Sequence, residues 1–164
     1  MKLAAHGIAA DLPAGWEGSI ASEQRDMVEG QMQDFSAVER APEVLPVAHF
    51  ATFGLPPARD DFGAHAVERM DTGDVFVALL EYSSEEATSA LFSHRGLPRR
   101  LDPRDFSPRM LQRTVRGQAG LQVFFNEGGR AFCLYIVLGD ARDTHRLVRR
   151  LEQVLATIEI EERT

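Results

Sequence analysis

Arginine dominates the residues of this chain that could act on another molecule. Arg95, Arg99, Arg100, Arg104, Arg109, Arg113 and Arg116 stand against only Asp102 and Asp105, giving +5 over 22 residues of a chain whose net charge is −7. Leu97, Leu101, Phe106 and Met110 are interspersed among them. Guanidinium forks around apolar anchors have the composition of a protein interface, because a planar, weakly hydrated fork binds carboxylates in pairs. We read these seven arginines, with Phe106, as partner-binding residues. Two other uses of the stretch remain open: pairing with the acids of the N-terminal half to tie down a long loop, or contact with RNA or phosphate.

Other reactive side chains are scattered. His6, His49, His65, His94 and His145 form no metal-ligand spacing; the nearest approach is His65 with Glu68, a pattern more typical of a solvated face. Cys133 lies between Phe132 and Leu134 in an apolar run, where a thiol is inert packing. No glycine-rich phosphate loop follows a strand and no G-x-S-x-G elbow is present. Asp61-Phe62-Gly63 matches the magnesium-binding triplet of protein kinases in letters only, since the glycine-rich loop, strand lysine and catalytic loop are missing. We therefore expect no catalytic residues, no metal and no cofactor, although residues distant in sequence could still converge on a site.

The 164 residues, 44% hydrophobic and 26% charged, fit one domain of ordinary composition. No segment approaches the roughly 20 apolar residues that cross a bilayer. The opening residues, interrupted by His6 and Gly7, make a poor signal peptide, and one cysteine forms no internal disulfide. We expect a cytoplasmic protein. Lys2 is the only lysine, a bias expected of a GC-rich bacterial genome. Residues 1–90 hold 16 acids and 5 bases and residues 91–164 hold 9 and 13, so the halves carry −11 and +4. The overall acidity argues against general nucleic-acid binding. The split suits steering of a partner or head-to-tail homo-oligomers, unless interleaved strands cancel it.

These residues must be positioned by the elements around them. Residues 3–12 and 16–21 predict a hairpin turning at Leu12-Pro13-Ala14-Gly15. Residues 22–43, acidic and rich in Gln and Met, read as a mobile or helical excursion. Residues 44–53 predict a strand stopped by Gly54-Leu55-Pro56-Pro57. Short helices are predicted at 62–70 and from Ser84 to Phe92. Val75 to Tyr82 is apolar on both alternating faces, and so is Ala131 to Leu138, which predicts two central strands covered on both sides. Residues 118–126 join the second of these through Asn126-Glu127-Gly128-Gly129, a hairpin. A helix follows, capped at Asp140, with Leu147, Val148, Leu151, Val154 and Leu155 as its apolar stripe. Thr157 to Ile160 reads as a closing strand. The Arg-rich stretch falls in a long connection, and long connections that persist are often functional.

The opening strand Ile8-Ala9-Ala10-Asp11-Leu12-Pro13-Ala14-Gly15-Trp16, with the late hairpin, long helix and terminal strand ending at Ile160, resembles the PsbP/DcrB-like superfamily. The resemblance covers most of the chain as topology and about ten residues as motif. It implies an α+β single domain over 1–164: an antiparallel sheet of about six strands with helices packed on its faces. Members of that superfamily bind small GTPases, photosystem subunits or, in the Eag chaperones, membrane helices of secreted effectors. They share no catalytic site to carry over. The Arg-rich stretch and the 22–43 excursion have no counterpart in it.

We accordingly expect a non-catalytic adaptor, chaperone or assembly factor whose partner is another protein, such as a secreted effector or assembly subunit. The alternatives are a structural subunit of a larger assembly, or a small enzymatic or ligand-binding domain with its pocket beside the sheet near His49, His65 or Glu81. A hollow lined by ionisable side chains would count for the last. Arg99→Glu with Arg104→Glu is expected to remove the partner and leave the fold intact.

Overall fold

The computed structural model describes residues 1–23 and 45–163. Along them run β1 (Lys2–Ala5), β2 (Ile8–Asp11), β3 (Glu17–Glu23), β4 (Leu45–Ala51), β5 (Val75–Tyr82), β6 (Ala119–Glu127), β7 (Arg130–Leu138), α1 (Thr144–Leu155) and β8 (Glu159–Ile160). The two unbroken apolar runs, β5 and β7, pair antiparallel, with Leu79 opposite Leu134, inside a five-stranded sheet of order β3-β4-β5-β7-β6. A second sheet of order β1-β2-β8 gathers residues from both ends of the chain.

This is not the expected six-stranded sheet with helices on its faces. Among the described residues there are eight strands in two sheets, and α1 is the one helix of seven or more residues. The predicted helix at 62–70 forms only a 3₁₀ turn at Val67–Arg69, and the one at 84–92 forms two, Ser84–Thr88 and Ala90–Phe92. Within these turns only Val67 and Phe92 are buried. At 62–70, Gly63 and His65 take left-handed φ values of 83° and 75°, which break a right-handed helix; at 84–92 one anchor is no amphipathic stripe to repay the cost of nucleation. The first hairpin also turns elsewhere, at His6-Gly7, where φ values of 53° and 75° fit a two-residue type I′ turn. Leu12 to Trp16 instead carries the chain from one sheet to the other. Residues 22–43 fall almost wholly outside the described residues.

Both faces of the large sheet are covered, each by different means. On one face Phe50, Val77, Leu79, Leu134 and Ile136 meet Leu147, Val148, Leu151, Val154 and Leu155 of α1, together with Ile8 and Ala10 of the small sheet and Leu12 just beyond it. On the other, Phe76, Ala78, Leu80, Cys133, Tyr135 and Val137 are covered by irregular chain: Phe62, Val67, Leu111 and Val115. Asp143 occupies the N-cap position of α1 without capping it; its carboxylate takes Arg146 Nε at 2.6 Å. Asp140 lies earlier, accepting the Arg142 amide at 2.9 Å.

Candidate functional site

The Arg-rich stretch is a strap that wraps the outer edge of β6. Arg95 pairs with Asn126 at one end of the strand and Ser107 with Gly120 near the other. Six residues of strand separate these points, about 20 Å. Between them the chain crosses the α1 face of the sheet, where Leu97 and Phe106 are buried and Leu101 packs against the same core. Beyond Ser107 it turns onto the opposite face, where the Gln112 amide donates to Tyr135 Oη at 2.7 Å and Leu111 and Val115 join the second core. An exposed sheet edge invites pairing by another chain, and this clasp blunts one.

The predicted partner-binding residues divide into two groups. Phe106, read as an interface anchor, points inward at 8% exposure. Arg99 is a helix-end ligand: Nη1 donates to Leu155 O at 2.7 Å and Nη2 to Ile158 O at 2.9 Å. These carbonyls sit at and just past the last turn of α1, where a cation also meets the negative end of the helix dipole. The double reversal Arg99→Glu/Arg104→Glu is therefore not neutral to the fold. Arg104 folds back on Asp102 at 2.8 Å, and that bond above all holds the Asp102 carboxyl down at about 2. Arg113 Nε meets Glu68 at 2.6 Å. Arg95, Arg100, Arg109 and Arg116 are exposed, and their guanidinium groups have no hydrogen-bond or ion-pair partner among the described residues. Internal pairing thus accounts for three of the seven arginines.

Candidates for chemistry are occupied or buried. His49, 5% exposed in β4, accepts from Arg59 Nε at Nδ1 (2.8 Å), which fixes the proton on Nε2, donated to Asp61 O at 2.9 Å. Burial pushes its pKa down to about 4 against the Asp61 bond, with the Arg59 charge adding to the fall. Burial likewise pushes the Cys133 thiol up to about 11, so it is no thiolate at neutral pH. His65 is exposed, in the left-handed region at φ 75°. Among the described residues no group of three or more His, Cys, Asp or Glu could hold a metal ion, and no helix is long and apolar enough to cross a membrane.

Sequence reasoning named Glu81 as a pocket residue but missed Arg130, its partner in the most concentrated polar node. Glu81 (2% exposed) and Arg130 (6%) form a two-pronged pair on β5 and β7, with Nε to Oε2 at 3.0 Å and Nη2 to Oε1 at 2.7 Å. Arg130 also donates to His6 O, Gly7 O and Glu161 O, bolting the small sheet to the large one, and its plane lies over Phe132 at 5.2 Å. All five of its N–H groups are engaged. Arg163 reaches Glu81 Oε2 at 3.2 Å. A hollow of about 360 Å³ opens over this node, lined by Glu81 itself, as the ligand-site alternative expected, and by Arg130, His6, Glu161, Glu162 and Arg163. It is lined by ionisable groups as a ligand site would be, yet the central pair is already satisfied. A second hollow, about 270 Å³, lies beside the 62–70 segment and is lined by Asp60, Phe62, Ala64, Gln112 and Arg113, with none of His49, His65 or Glu81. The signal that could have found the node was a charge at a core-facing position of each central strand.

Comparison with known proteins returns no match to any family model, curated protein or solved structure. The likeness to the PsbP/DcrB-like superfamily draws no support from them.

Proposed function

We propose that this chain is a non-catalytic protein-interaction module, an adaptor or assembly factor, that offers the exposed arginines of its strap to an acidic partner protein. One observation carries the reading: the strap is anchored by its apolar residues and by Arg99, while Arg95, Arg100, Arg109 and Arg116 project from it without ion-pair partners among the described residues. A cation held on a fixed scaffold with open donors loses little entropy when a carboxylate arrives. No Phe, Tyr or Trp ring is exposed among the described residues, which disfavours stacking on nucleobases; the large exposed apolar side chains there are Met1, Leu91 and Met110. A cytoplasmic setting accords with a lone buried thiol.

Arg100→Glu with Arg109→Glu tests this reading without touching the helix-end contact of Arg99. Affinity purification from the native host should recover an acidic protein with the wild type and lose it with the variant, both melting at the same temperature. Equal recovery by the two would defeat the proposal.

A further inference from the structure

The interaction surface does not end at the strap. Along α1, His145, Arg149 and Glu152 stand at i, i+4 and i+7, one face of the helix. Glu152 Oε2 accepts the Leu101 amide at 3.1 Å, and Arg99 grips the C-terminal end of the same helix. His145 lies near enough to Asp102 to contribute to the lowering of its pKa. The face carrying Arg149 therefore abuts the 101–104 turn of the strap. Of the four arginines in this region of the chain, Arg142 is taken by Asp140, Arg146 by Asp143 and Arg150 by Gly73 O. Arg149 is exposed and has no ion pair among the described residues. The acid placed to pair with it, Glu152 three residues on, is turned to the strap backbone instead.

We propose that an acidic segment of a partner protein docks across the seam between strap and helix, with Arg149 and Arg100 gripping its carboxylates from the two sides. Charge complementarity chooses the occupant: a local cationic surface on a chain of net charge −7, made of arginine forks rather than lysine points. The proposal rests on the reading of the strap given above and adds a helix residue that lies outside it.

Fluorescence anisotropy with a labelled oligoglutamate peptide, on the full chain at low salt, tests it. Arg149→Glu should weaken binding by about tenfold, the scale of one charge-assisted contact. Arg142→Glu makes the same change of net charge at a residue already paired within its own turn, and should have a much smaller effect. Thermal melts confirm that each variant is folded, and Arg149→Gln should lose affinity in the same direction. If Arg149→Glu behaves like Arg142→Glu while Arg100→Glu/Arg109→Glu abolishes binding, the seam is wrong and the strap stands. If the strap variant also binds like wild type, both readings fall. Tighter binding of oligothymidylate than of oligoglutamate overturns the choice of an acidic protein.

Discussion

Arg130 and Arg100 carry the same guanidinium into opposite surroundings. Arg130 is sealed between the two sheets with every N–H bonded, two of them to Glu81 and the rest to backbone carbonyls of the β1–β2 turn and the C-terminal segment. Arg100 stands in water on a strap that other residues hold in place. A cation that has consumed its donors is architecture, whereas one with open donors on a fixed scaffold is available to a partner. Residue type alone does not separate the two; burial and partner count do.

The largest expected effect breaks the buried side of this contrast. Arg130→Met removes the two-pronged partner of the enclosed Glu81 carboxylate, which keeps Arg163 in reach, and releases three backbone carbonyls that fasten the small sheet. The cost should be about 3–5 kcal/mol, read from urea unfolding. Glu81→Met combined with Arg130→Met should recover much of that loss, because no uncompensated charge remains. A single variant as stable as wild type would show that the pair does not hold the sheets together.

A second buried node sharpens the contrast through pH. His49 is neutral in the fold, with its pKa lowered from 6.5 to about 4, chiefly by burial. The neutral form is favoured when folded, so its contribution is present above pH 6.5 and is lost as pH falls towards 4. The shift corresponds to about 3 kcal/mol. His49→Gln has no such proton to bind, so the stability gap between wild type and variant should shrink across that window. A constant gap from pH 7 to pH 4 would place the ring outside the acid response.

How far the fold could be read ahead follows the same division between pattern and geometry. β5 and β7 were legible because neither has a polar face over most of its length, and only a centrally placed strand satisfies that. The β6–β7 hairpin was legible through Gly128-Gly129, whose φ values of 60° and 76° suit the turn. The expected helix at 62–70 failed because Phe62, Ala66, Val67 and Met70 reach the core from a chain turned through left-handed residues at Gly63 and His65, and the one at 84–92 because a single buried anchor, Phe92, does not distinguish a helix from a pinned turn. The small sheet was missed because it joins Ile8 to Ile160, a pairing that no local pattern encodes. Glu81 and Arg130 are 49 residues apart, and they meet because β5 ends where β7 begins in an antiparallel pair. In the strap, composition showed the surplus of arginine but not which guanidinium would turn inward.

Arg99 and Arg100 bring the comparison down to neighbouring residues, and here the expected effect is smallest. The two are identical in sequence terms, yet Arg99 bonds two carbonyls at the end of α1 and Arg100 bonds none of the described residues. Water can replace part of what Arg99 supplies, since its side chain is exposed, so Arg99→Ala should cost only about 1–2 kcal/mol. Arg100→Ala should stay within about 0.5 kcal/mol of wild type, as surface truncations do. Binding of oligoglutamate should show the reverse order, with Arg100→Ala the weaker binder of the two. If both substitutions shift stability equally, the strap is a uniform solvated loop, and the division between arginines that build the surface and arginines that use it disappears.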